Sequence, residues 1–148
     1  MSTNMTLSHH TYFEQIIAEI TKLASNATVA VVSIDGMVLN SNITDPTLEA
    51  QLSSFASVYL DYGKKMIAIP PDPKAQGARD FVQTMVTVGA ERFIIITQLV
   101  EEAMLIIVGE DKTKLNSILK KSLEEIDHAN AMIQKKEIFF WAFDTAAR

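Results

Sequence analysis

The sequence predicts an α/β (α+β) domain in which a five-stranded antiparallel sheet lies between helices, a three-layer α/β/α sandwich. Three observations lead to this fold class. The stretch Val29–Leu39 has the pattern of a β-hairpin, three later apolar runs are joined by connections too short for a crossover helix, and apolar stripes at helical spacing lie before, between and after the strands. The predicted order of elements is therefore α-β-β-α-β-β-β-α.

Length, charge and composition limit the classes of protein to which the chain can belong. A chain of 148 residues forms one domain with a sizeable core, and its net charge of −5 opposes binding to DNA or RNA. The absence of cysteine excludes disulfides and thiolate metal sites. The sequence has neither a signal-peptide pattern nor an apolar run of about 20 residues, so we expect a cytoplasmic protein that is not attached to a membrane.

A first helix is predicted over Tyr12–Ala24, with Thr11 and Glu14 forming a capping box at its start. Its apolar stripe consists of Phe13, Ile16, Ile17, Ile20 and Leu23. The hairpin follows this helix. The pair Asp35-Gly36 is typical of a two-residue type I′ turn, in which both residues have a positive φ.

The second helix is predicted to have Asp45 as its N-cap and Pro46 in its first position, where a missing N–H group is tolerated. This helix carries two neighbouring apolar stripes. One consists of Leu48, Leu52, Phe55, Tyr59, Tyr62 and Met66, and the other of Ala56, Leu60, Gly63 and Ile67. Because one stripe is enough to cover a sheet, the other stripe is expected to face a different surface.

Three more strands are predicted at Phe81–Val88, Phe93–Val100 and Ala103–Val108, and their short connections require antiparallel pairing. The second and third of these strands are apolar at consecutive positions, which indicates that both faces of the sheet are covered. The last helix is predicted to start at Asp111 and to carry apolar residues at spacings of four and three.

No pattern in the sequence predicts catalysis, a metal site or a cofactor. The five glycines do not form a phosphate-binding loop, and no serine lies in a Gly-x-Ser-x-Gly context. His128 has no suitably spaced carboxylate, Glu124-Glu125 is interpreted as a solvated helix face, and Asp35 is assigned to the hairpin turn. We therefore expect a protein that is not an enzyme.

The segment Ala30–Leu39, Ala-Val-Val-Ser-Ile-Asp-Gly-Met-Val-Leu, together with the order of elements, resembles the roadblock (dynein light chain) family, with its small-GTPase regulators of prokaryotic type. The resemblance covers about Tyr12–Ile133. It implies a roadblock/profilin-like sheet in which the first hairpin strand and the fifth strand are central and the third strand is an edge. It also implies that the first and third helices cover one face and that the second helix covers the other.

Family members pair through their third strands and second helices, and they regulate Ras-like small GTPases without hydrolysing nucleotide themselves. The resemblance therefore implies a non-enzymatic homodimeric scaffold or regulator of such a GTPase, acting in activation or in nucleotide exchange. The residues expected at the dimer interface are Phe55, Tyr59, Tyr62, Phe81, Gln83, Met85 and Val86. A small-ligand sensor of similar build, an adaptor for a motor or membrane complex, and a heterodimer with a paralogue remain alternatives.

An apolar tail ends the chain, and we divide the sequence into a flexible N-terminus (1–11), one domain (12–134) and this tail (135–148). Ile138–Phe143 holds five large apolar side chains in six residues. A cluster of that size needs a cover. The expected cover is either the protein's own dimer, across the layer of the first and third helices, or a partner protein bound through Phe139, Phe140 and Trp141.

Overall fold

A computed structural model describes residues 7–69, 84–100 and 103–132, and in this part of the chain the predicted order of helices and strands is confirmed. The elements are α1 (Leu7–Leu23), β1 (Thr28–Ser33), β2 (Val38–Ser41), α2 (Pro46–Ile67), β3 (Thr84–Val88), β4 (Phe93–Val100), β5 (Ala103–Gly109) and α3 (Leu115–Met132), with a 3₁₀ turn at Lys112–Lys114 before α3. None of the helices described is long and apolar enough to cross a lipid bilayer.

The five strands form one antiparallel sheet in the order β2-β1-β5-β4-β3. The strand β5 lies at the centre between β1 and β4, and β3 is an edge. Both positions agree with the arrangement that the family resemblance implies. The part of the third strand that was predicted before Thr84, which includes Phe81 and Gln83, lies outside the described residues.

Two apolar cores form because both faces of the sheet are covered. On one face, α1 and α3 pack through residues such as Phe13, Ile16 and Ile118 against alternate residues of the strands. On the other face, α2 packs through Ala56 and Leu60. Neighbouring residues of one strand therefore enter different cores, which explains why β4 and β5 are apolar at consecutive positions.

The β1–β2 turn differs from the prediction. Gly36 has a φ of 93°, whereas Asp35 does not have a positive φ, so a type I′ turn is ruled out. The Gly36 N–H donates to the Ser33 carbonyl at 2.9 Å and the Ser33 N–H donates to the Met37 carbonyl at 2.7 Å. These bonds define a three-residue loop, a type I turn closed by a glycine bulge, which needs a positive φ only at the glycine.

The start of α1 was also predicted wrongly. The helix begins at Leu7, so Thr11 lies inside it and cannot be its N-cap. Serine and threonine favour helix starts but are also accommodated inside helices, so a capping pattern alone does not locate the first turn. The predicted cap of α2 is confirmed, because the Asp45 carboxylate accepts a hydrogen bond from the Thr47 N–H at 3.0 Å.

Candidate functional site

The outward face of α2 carries an apolar stripe that the rest of the described chain does not cover. Its exposed side chains are Phe55 (70% exposed), Tyr59 (39%), Tyr62 (59%) and Met66 (70%). The buried side of the same helix consists of Ser53, Ala56, Leu60 and Gly63. The prediction of two stripes with different environments is therefore confirmed for most of their residues, and the structure decides which of the two faces outward. Two residues differ, because Leu52 packs against the second core and Ile67 is 41% exposed.

The edge strand β3 lies beside this helix. Among the described strands it pairs only with β4, and its residues Thr84–Val88 include neither a charged residue nor a proline. Natural proteins usually protect an exposed edge with such residues, because an open row of N–H and C=O groups readily pairs with another strand. On the α2 side, Met85 packs against the second core, while Val86 points to the opposite face.

A hydrogen bond and an apolar hollow join the α2 stripe to this edge. The hydroxyl groups of Tyr59 and Thr87 are hydrogen-bonded, which ties α2 to β3. Next to them is a hollow of about 150 Å³, lined by Leu52, Phe55, Ala56, Tyr59, Ile94, Ile96 and Ile106. The Tyr59 hydroxyl is the polar side-chain group among the residues that line it. The helix therefore leaves part of the sheet next to β3 accessible.

The structure thus brings together three of the residues predicted at the interface, Phe55, Tyr59 and Met85, on the α2 side of the sheet edge, whereas Val86 lies on the same edge strand with its side chain on the opposite face. Tyr62 lies one turn further along the same helix and also lines a shallow groove beside the β1–β2 turn, with Ile34 and Val58. Lys65 near the end of α2 pairs with Asp61 at 3.1 Å, and its Nζ lies 5.8 Å from the centre of the Tyr62 ring. The stripe itself is apolar, and charged residues flank it at the C-terminal end of α2.

A cluster of polar side chains that the sequence did not predict lies between α1 and α3. Glu125 is almost completely buried, and its carboxylate accepts hydrogen bonds from the Tyr12 hydroxyl at 2.8 Å and from Lys121 Nζ at 3.0 Å. Lys121 also contacts Glu19 on α1 at 3.3 Å. The prediction that Glu124-Glu125 is a solvated face is therefore wrong for Glu125, which instead joins α3 to α1.

Burial and the neighbouring carboxylate shift the protonation of this cluster. Burial raises the pKa of Tyr12 well above its usual range, and the hydrogen bond to Glu125 raises it further. For Lys121, burial acts to lower the pKa, but the hydrogen bond and the charge of Glu125, with a contribution from Glu19, outweigh it and raise the pKa. We refer to Tyr12, Lys121 and Glu125 as the clamp, which holds a neutral phenol and a cationic amine against one buried carboxylate.

A signal for this cluster was present in the sequence. Glu125 follows Ser122 by three residues and Ile118 by seven, so it lies on the same side of α3 as residues that face the core. His128 is exposed as expected, but the expectation that no carboxylate lies near it is wrong. Its Nδ1 atom is 3.6 Å from the Glu125 carboxylate, and its ring lies edge-on to Tyr12 with the ring centres 5.3 Å apart.

A five-stranded antiparallel sheet in this order, with two helices on one face and one on the other, defines an α/β/α sandwich with an open edge and one incompletely covered helix. Comparison with solved structures shows that this is the roadblock fold, as the sequence resemblance implies. No family model and no curated protein matches the sequence itself.

Three solved structures illustrate the likeness. MglB from Myxococcus xanthus superposes with a TM-score of 0.68 at 14% identity, covering 88% of this chain and 93% of MglB. A structure of MglB with a tetrameric arrangement gives 0.68 at 11% identity, covering 84% of this chain and 90% of that one. The Roadblock/LC7 domain from Streptomyces avermitilis gives 0.57 at 12% identity, covering 82% and 97%. At these identities the likeness concerns the fold.

Proposed function

We propose that the protein is a non-enzymatic homodimer that serves as a scaffold or regulator of a Ras-like small GTPase. The observation that carries the proposal is the continuity of the exposed α2 stripe with the unprotected edge of β3. The roadblock fold supports the GTPase partner, because the family that the sequence resembles regulates such GTPases. A second copy of this chain is the cover that fits the stripe and the edge together.

A twofold arrangement would satisfy both surfaces at once. In an interface of this symmetry the same patch is used by both copies, so β3 would pair with β3 while α2 packs against α2. Antiparallel pairing of the two edges would join two five-stranded sheets into one continuous sheet. The aromatic side chains of Phe55, Tyr59 and Tyr62 are of the kind that anchors the centre of an interface.

Such a dimer would act on its GTPase by contact rather than by chemistry of its own. An accessible arginine is the usual group by which a partner stabilises charge in GTP hydrolysis. In the described part of the chain Arg92 is 67% exposed and forms a surface ion pair with Glu110, with Nε 3.1 Å from the carboxylate. The residues Pro46–Ile67 of α2 and Thr84–Val88 of β3 include no arginine. We propose that the protein orders the switch segments of the GTPase.

Two measurements test the proposal. Light scattering should give a mass of twice 16.4 kDa at micromolar concentration. A Ras-like GTPase encoded in the same genome should then bind in one nucleotide state in preference to the other, and its rate of hydrolysis or exchange should change. A monomer would contradict the homodimer. A dimer that has no effect on any such GTPase would contradict the role as a GTPase regulator.

The alternative function, a small-ligand sensor, would need a binding cavity, and the hollow beside α2 is the candidate. A sensor needs convergent polar groups to orient its ligand, whereas the hollow beside α2 has the Tyr59 hydroxyl, which is already hydrogen-bonded to Thr87. This lining favours an apolar side chain of a second copy over a metabolite. No specific observation favours an adaptor for a motor or membrane complex.

A further inference from the structure

A second apolar surface lies on the opposite side of the sheet, on α3. A shallow, open groove of about 370 Å³ lies on the surface of this helix, and the described residues that line it all belong to α3: Asn116, Leu119, Lys120, Leu123, Glu124 and Asp127. Leu119 is partly buried against the first core, whereas Leu123 is 44% exposed. The groove therefore has apolar residues along one flank and charged residues along the other.

The apolar flank of α3 faces the edge of the sheet. Tyr12 and Glu19 of α1 contact α3 through Glu125 and Lys121, so α1 lies on that side of the helix. Helical spacing places Leu119 and Leu123 on the other side. This side is directed toward β3, because α3 packs on β4 and β3 is the next strand.

The strand β3 presents apolar side chains on the same face of the sheet. Val86 and Val88 are opposite Ile95 and Phe93 of β4, both of which belong to the core under α1 and α3. The two valines therefore lie on the same face of the sheet as α3, and they are 41% and 53% exposed. We refer to Leu119, Leu123, Val86 and Val88 together as the α3–β3 shelf.

We infer that the apolar segment Ile138–Phe143 of the same chain docks on the α3–β3 shelf. This segment holds Ile138, Phe139, Phe140, Trp141 and Phe143, and the described part of α3 reaches Met132, a few residues before it in the sequence. From Met132, Leu123 lies about 14 Å back along the helix, while the seven residues to Phe139 span up to about 23 Å when extended. The segment can thus return to its own helix.

Charge supports this occupant. Glu124 and Asp127 lie with Lys120 on the polar flank of the groove, which is net negative, and the net-positive run Lys135-Lys136-Glu137 precedes the apolar segment in the sequence. A segment that folds back along α3 brings these lysines toward that acidic flank. The α2 stripe is a poorer site for the same segment, because α2 covers the other face of the sheet and the chain would have to pass around its edge.

Tryptophan fluorescence tests the docking directly, because Trp141 is the only tryptophan. The full-length protein should emit as a buried indole and resist quenching by acrylamide. Leu123→Ser should shift the emission to the red and increase quenching. Met37→Ser, at an exposed residue in the β1–β2 turn, is the matched control and should leave the emission unchanged. A solvated emission in the wild type, or no response to Leu123→Ser, would overturn the inference.

Engineered cysteines locate the segment independently, because the natural chain has none. The double variant Leu123→Cys with Phe139→Cys should form an intramolecular disulfide on mild oxidation, whereas Met37→Cys with Phe139→Cys should remain reduced. A cross-link between two chains, or equal cross-linking of both pairs, would refute docking on the segment's own helix. Neither outcome depends on the GTPase proposal, since both measurements use the protein alone.

Discussion

Tyr12→Phe should destabilise the protein by a defined amount and also change how its stability depends on pH. The substitution removes only the hydroxyl group that donates to the buried Glu125 carboxylate at 2.8 Å, and the ring stays in the core. A hydrogen bond to a charged group contributes about 1.5–3 kcal/mol, and Lys121 still neutralises the carboxylate. We expect a loss of about 1–2 kcal/mol in the free energy of unfolding at pH 8.

The pH dependence follows from the raised pKa of Tyr12. A tyrosine that ionises at a higher pH in the folded state than in the unfolded state contributes stability that is fully present below its unfolded pKa of about 10. This contribution is lost as the pH rises further, by about 1.4 kcal/mol per pH unit. The raised pKa of Lys121 acts in the same direction in the alkaline range, and both proteins retain it.

Urea unfolding at pH 8, 10 and 11 measures both effects. The wild type should lose stability between pH 10 and pH 11 more steeply than Tyr12→Phe, so the two free energies should converge as the pH rises. Tyr62→Phe is the control, because this tyrosine is exposed and its hydroxyl lies outside the clamp. Equal losses in the two variants at pH 8, or parallel pH profiles of wild type and Tyr12→Phe, would refute the role given to the clamp.

Three further predictions concern the interface, the sheet and nucleotide. Phe55→Lys and Met85→Lys should each shift the protein from dimer to monomer in light scattering, whereas Met37→Lys should not. A dimer that survives both changes would exclude the α2 stripe and the β3 edge as the dimer interface. Gly109→Ala should destabilise by about 1–3 kcal/mol in urea unfolding, because its Cβ would lie 2.1 Å from the buried Phe93 ring; an unchanged midpoint would mean that the ring moves freely. Calorimetry should detect no binding of GTP or ATP to the isolated protein, because the sequence has no phosphate-binding loop, and a saturable heat would show that the chain binds nucleotide itself.

Local sequence determined most of the secondary structure. The strands β4 and β5 start where predicted because short apolar runs with two-residue and four-residue connections leave few other ways to pair. The start of α2 was also predictable, since Asp45 and Pro46 act through atoms of the same turn. The two apolar stripes of α2 follow from helical spacing alone.

Tertiary structure decided the features that depend on which surfaces meet. The β1–β2 turn has three residues rather than two because strand pairing sets its length, and Asp-Gly is compatible with both forms. Glu125 is buried because the Tyr12 hydroxyl donates a hydrogen bond to its carboxylate and Lys121 compensates its charge. Residue type alone predicts that a glutamate is exposed to solvent. The packing of Ala56 and Leu60 on the sheet leaves Phe55 and Tyr59 outside, since a helix can cover the sheet with only one of its two apolar stripes.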